Sequence, residues 1–102
     1  MTSEDRRLIN ALIEYRCMIN EPGPRWPEME FDKNSYSGWA VDEIMLMIMA
    51  HPDWTVMKCV ETFKAKMLEF ACYSSNFSEA NFIFEIAYET ADDLSDILGG
   101  ML

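Results

Sequence analysis

Ile44-Met45-Leu46-Met47-Ile48-Met49-Ala50 is a run of seven apolar residues without one charged side chain. It decides how the rest of the chain is read. A helix that is apolar on every side has to be covered on every side. The segment is therefore expected to be the central helix of an all-α domain, with amphipathic helices packed over it. At seven residues the run is far short of the roughly 20 that cross a bilayer, so it reads as core.

Working outward, the next helix begins after His51-Pro52, because proline pushes the preceding residue out of helical geometry. Asp53 is the expected cap. Beyond it Val56, Val60, Phe63, Met67, Phe70 and Ser74 follow alternating steps of four and three, the spacing of a two-helix seam. Lys58, Glu61, Thr62, Lys66 and Glu69 make the opposite, solvated face. On the other side of the run, Ser37 is the expected cap of the central helix, with Tyr36 and Val41 placed to pack across it and Asp42 and Glu43 near the positive end of the helix dipole.

Residues 3–20 carry Leu8, Leu12, Tyr15 and Ile19 on one stripe, widened by Ile9 and Ile13, and predict a first helix capped by Thr2 or Ser3. It breaks at Glu21-Pro22-Gly23-Pro24-Arg25-Trp26-Pro27, where three prolines remove backbone donors. Trp26, Met29 and Phe31 then alternate with Glu28, Glu30 and Asp32, as an ordered extended loop lying on the core would. After a break at Ser74-Ser75-Asn76, the pair Asn76 and Glu79 has capping-box spacing. Ala80, Ile83, Ala87, Ala91, Leu94 and Leu98 form the buried face of a last helix, which Gly99-Gly100 ends in left-handed geometry. The expected fold is thus a four-helix, all-α compact domain, with a Pro-rich ordered loop between the first two helices and residues 1–102 in a single domain.

Composition narrows the function. The chain has 18 acidic and 8 basic side chains and a formal charge of −10, a sign that repels nucleic acid and anionic membranes and favours a basic protein surface. Glu4, Asp5 and Glu14 are unlike a signal peptide, so a soluble, cytoplasmic protein is expected. Cys17, Cys59 and Cys72 are odd in number and unpaired in spacing, which points to reduced thiols. A Cys3His site with His51 is disfavoured because Cys59 and Cys72 lie about 140° apart around one helix. No metal or cofactor is expected. His51 near Asp53 has the makings of a general base, but no nucleophile stands near it in sequence, and Asp53 already has a capping role. The two helices around His51-Pro52-Asp53 imitate a helix-turn-helix, yet the second lacks the basic surface that DNA requires. An enzyme and direct nucleic-acid binding are both read as absent.

The one pattern that composition does not explain lies in the last helix. Residues 75–102 hold six acids and no base, and Glu85, Glu89, Asp92 and Asp96 recur in steps of four, three and four along one face. Like charges four apart destabilise a helix, and anions near its C-terminus oppose the dipole. These acids, with Asp93, are either paired internally by Lys58, Lys64, Lys66 or the arginines of the first helix, or left for a basic partner. Phe82 is the expected apolar anchor beside them. On this reading the chain is an acidic interaction or regulatory module, in one version a mimic of nucleic-acid phosphates. The alternative is a structural homo-oligomer assembling through its methionine-rich and aromatic surface, and on either reading a homodimer is expected, because Trp26, Trp39, Trp54, Met57 and Leu68 are left over after one apolar stripe per helix.

Overall fold

The computed structural model describes residues 2–19, 33–73 and 78–102, with the side chains of 33–35, 72–73 and 78–82 outside that description. Four helices follow in order: α1 Ser3–Met18, α2 Lys33–Ala50, α3 Val56–Tyr73 and α4 Ser78–Gly99. The expected all-α, four-helix architecture is observed. The Pro-rich segment, Trp26 and the Asn76 capping box lie outside the described residues.

Short-range chemistry sets several of the helix ends. The Thr2 hydroxyl accepts from the Asp5 backbone N–H at 3.1 Å, capping α1 as its position in the sequence implies. Helix α2 stops at Ala50, just ahead of Pro52, and the His51 N–H makes the last helical bond to the Met47 carbonyl. Two caps differ from expectation. Thr55, and not Asp53, accepts from the Lys58 N–H at 3.1 Å and opens α3. Lys33 begins α2 four residues ahead of Ser37, so Ser37 is an interior residue and Asp42 and Glu43 sit mid-helix. At the other end of the chain, α4 closes without either Gly99 or Gly100 entering the left-handed region. The Gly100 N–H reaches back to the Asp96 carbonyl at 3.0 Å instead.

The core is one cluster drawn from all four helices: Leu8 and Leu12 of α1, Ala40, Val41 and Ile44 of α2, Val56, Val60, Phe63 and Met67 of α3, and Ala87, Ala91, Leu94 and Leu98 of α4. The seam read on α3 is buried from Val56 to Met67. Phe70 is half-exposed and meets the Phe84 ring at 5.3 Å instead. Small Ala87 and Ala91 let α4 approach its neighbours closely.

The apolar run of α2 departs from its reading. Ile44 is fully buried, but Leu46 is 57% and Met49 76% exposed. The buried part of α2 lies earlier, at Tyr36, Ser37, Ala40, Val41 and Ile44. Uniform apolarity carries no information about which side faces inward. Here the N-terminal half of the helix enters the core, and three residues of the run, Leu46, Met49 and Ala50, are exposed.

Polar ties hold α1 and α2 in place. Arg16 Nε donates to Asp42 Oδ1 at 3.0 Å, and Arg16 Nη1 donates to the Ile19 carbonyl at 2.9 Å. A Cβ at Gly38 would stand 3.0 Å from the Arg16 guanidinium carbon, so glycine here leaves the notch in which the arginine lies. Inside the core, Thr90 Oγ1 lies 3.0 Å from Ser37 Oγ and 2.9 Å from the Ile86 carbonyl oxygen. The threonine proton serves one of these bonds and the serine proton can serve the other.

Candidate functional site

At 100° per residue, Glu85, Glu89, Asp92 and Asp96 fall within about 60° of one another on α4, roughly 160° from the centre of the Ala87, Ala91, Leu94 and Leu98 face. The stripe is the outward side of a helix whose inward side is core. Glu85, Glu89, Asp93 and Asp96 are exposed and Asp92 is partly so. Asp93 sits at the stripe's edge. Its charge, after burial, helps push the Tyr15 hydroxyl of α1 above its ordinary value.

The structure divides the five acids. Asp92 is paired within the fold, its Oδ1 lying 2.8 Å from Lys64 Nζ of α3. That ammonium also stands 5.8 Å over the Tyr88 ring, and its pKa is raised, chiefly by the hydrogen bond to Asp92. Next along the same seam, the Ser95 hydroxyl donates to Glu61 of α3. Of the bases named as candidate partners, Lys64 takes this role. Among the described residues, Glu89, Asp93 and Asp96 make no ion pair. The only other ion pair among those residues is Arg16 with Asp42 on the far helices.

The Phe82 side chain lies outside the described residues, so the expected anchor has no observed position. Ile97 offers an apolar neighbour instead. It is 47% exposed and one turn beyond Asp93. The signal was present in the sequence, since Asp93 and Ile97 have the same four-residue spacing as the acids themselves.

The remaining candidate groups have structural surroundings. The His51 ring stacks on Trp54 at 3.8 Å, with Lys58 Nζ 4.5 Å from the same indole. Cys59 is buried, and burial followed by the Asp5 charge pushes its thiol upward, while Cys17 is exposed. Among the described residues no three His, Cys, Asp or Glu side chains are grouped as a metal site would need, and no helix is long and apolar enough to cross a membrane. Trp39 packs on Phe63 with ring centroids 6.2 Å apart, and Met57 lies against the core. Two of the side chains that suggested an oligomer surface are therefore used inside the chain.

No protein-family model, no curated protein and no solved structure matches the chain.

Proposed function

We propose that the chain is a non-enzymatic interaction or regulatory module that offers the α4 acids to a basic protein surface. The observation that carries this reading is the exposure of Glu89, Asp93 and Asp96 on the outward side of α4 without an ion pair among the described residues. Their arrangement opposes helix stability through like-charge spacing and the dipole, so it calls for an explanation other than folding. In the narrower form of the proposal, these carboxylates stand where nucleic-acid phosphates would, against a protein that binds nucleic acid. The test is titration with a lysine-rich peptide at low and high salt, using the wild type and the triple change Glu89→Gln, Asp93→Asn, Asp96→Asn. Salt-sensitive binding that the triple variant loses supports the reading. Equal binding by both proteins, or none by either, removes it.

A second reading, self-association, rests on Leu46 and Met49, which lie in an uncharged stretch of α2 and are more than half exposed. It predicts that Leu46→Glu with Met49→Glu turns an assembled species into a monomer of about 12 kDa, the mass of one 11.9 kDa chain. A wild type that is already monomeric across the micromolar range rules it out.

A further inference from the structure

The four helices are not held equally. Helix α1 buries only Leu8 and Leu12 from sixteen residues, packs Ile9, Ala11 and Tyr15 half-buried against the core, and leaves Ile13 and Met18 exposed. By contrast, α3 buries Val56, Cys59, Val60, Phe63 and Met67, and α4 buries Ile86, Ala87, Ala91, Leu94 and Leu98. A segment with little buried apolar surface opens at a lower free energy than the global transition. Two polar ties near its ends add to this packing without replacing the burial that α1 lacks. At the start, Asp5 Oδ1 accepts from the Val56 N–H of α3 at 3.3 Å, a donor that α3 leaves without an intrahelical acceptor at its first position. At the end, the Arg16 guanidinium reaches both carboxylate oxygens of Asp42, at 3.0 and 3.5 Å, while also closing α1 on the Ile19 carbonyl. Gly38 gives that guanidinium its seat.

We propose that α1 is a strap that opens as one unit from a body of α2, α3 and α4 that stays folded, with the Arg16–Asp42 pair as its latch. Opening requires the loss of two leucine seats, of the half-buried packing of Ile9, Ala11 and Tyr15, and of two inter-helix ties, and leaves the pairing of α3 with α4 intact. It also releases Asp42, whose side chain is already 46% exposed with the strap closed, from its ion pair. The proposal does not depend on what the acidic face binds, because it is read from exchange rates of the protein alone.

The experiment is native-state hydrogen exchange on the full chain, resolved by helix, for the wild type, the latch variants Arg16→Gln and Asp42→Asn, and Asp92→Asn. In the wild type, the best-protected α1 amides should exchange at least about tenfold faster than the best-protected amides of α3 and α4. Either latch substitution should speed α1 by up to about a further fivefold, the scale of a partly exposed ion pair. The slowest α3 and α4 amides should speed by the same factor, since global opening also breaks the latch, whereas Asp92→Asn, which cuts the α3–α4 seam that strap opening leaves intact, should speed them and leave α1 within about twofold of wild type. A common rate for α1, α3 and α4 in the wild type overturns the strap. Latch variants that leave α1 exchange unchanged overturn the latch, and an Asp92→Asn variant that speeds α1 as much as α3 and α4 overturns the separate opening of the strap.

Discussion

Lys64 Nζ and Asp92 Oδ1 meet at 2.8 Å across the α3–α4 seam, and this contact separates one acid of the α4 stripe from the others. The two kinds of acid should respond oppositely to neutralisation. Asp92→Asn removes a half-exposed ion pair and is expected to lower stability by up to about 1 kcal/mol. The triple change Glu89→Gln, Asp93→Asn, Asp96→Asn relieves the repulsion of Glu89 with Asp93 and of Asp92 with Asp96, at about 0.2–0.5 kcal/mol each, and a dipole conflict. Its melting temperature at low salt should equal or exceed that of the wild type. A marked fall would mean that those acids are held by the fold, and the proposed function would lose its basis.

The core runs through Val41 and Ile44 and not through Leu46. Ile44→Asp places a carboxylate where the side chain is wholly buried, at a cost of several kcal/mol against a total of about 5–15. It should abolish cooperative melting. Leu46→Asp, on an exposed position, should change stability by about 0.5 kcal/mol or less. Thermal melts followed by circular dichroism give both values, and equal damage from the two would put Leu46 back in the core.

Ser37 and Thr90 test whether the buried hydroxyl pair matters as a pair. Thr90→Val takes from Ser37 the one side-chain hydrogen-bond partner it has among the described residues, at about 1–3 kcal/mol. Ser37→Ala should cost less, about 0.5–1.5 kcal/mol, because Thr90 keeps the Ile86 carbonyl. The double variant should be less destabilised than the sum of the two. Denaturant midpoints arranged as a double-mutant cycle check this, and strict additivity would show that the hydroxyls do not interact.

Three groups predict the alkaline behaviour. Cys59 and Tyr15 have pKa values raised above 9.0 and 10.0, by burial first and then by Asp5 and Asp93 respectively. Both stay neutral in the fold at a pH where the unfolded chain ionises. Lys64 is raised above 10.5, chiefly by its bond to Asp92, and stays charged where the unfolded chain loses the proton. In each case the folded state holds its proton more tightly. The stability from these groups is therefore complete below the unfolded values and lost as pH climbs through the raised ones. Denaturation midpoints should fall steadily from about pH 9 upward, and Tyr15→Phe should flatten the part of that fall above pH 10. A midpoint that stays level to pH 11 would contradict all three.

The sequence by itself determined the helices and some of their ends. Thr2 caps and Pro52 stops through contacts within a few residues, and the buried faces of α3 and α4 repeat with the helical period, so both are written locally. The acid stripe was legible for the same reason, since spacing alone puts Glu89 and Asp96 on one side of α4. The tertiary structure decided what depends on distant partners. A helix as evenly apolar as Ile44–Ala50 has no stripe to mark its inner side, and only packing chose Val41 and Ile44 over Leu46 and Met49. Ser37 looked like a cap because serine favours caps, until Thr90 of α4, 53 residues on, gave it a partner inside the core. Asp5 reads as a complement to the dipole of its own helix, yet it reaches the first N–H of α3, 51 residues away. That Lys64, among several bases, neutralises Asp92, among several acids, follows from the register in which α3 lies on α4. No local propensity encodes such a register, because it is set by how the side chains of the whole core fill space together.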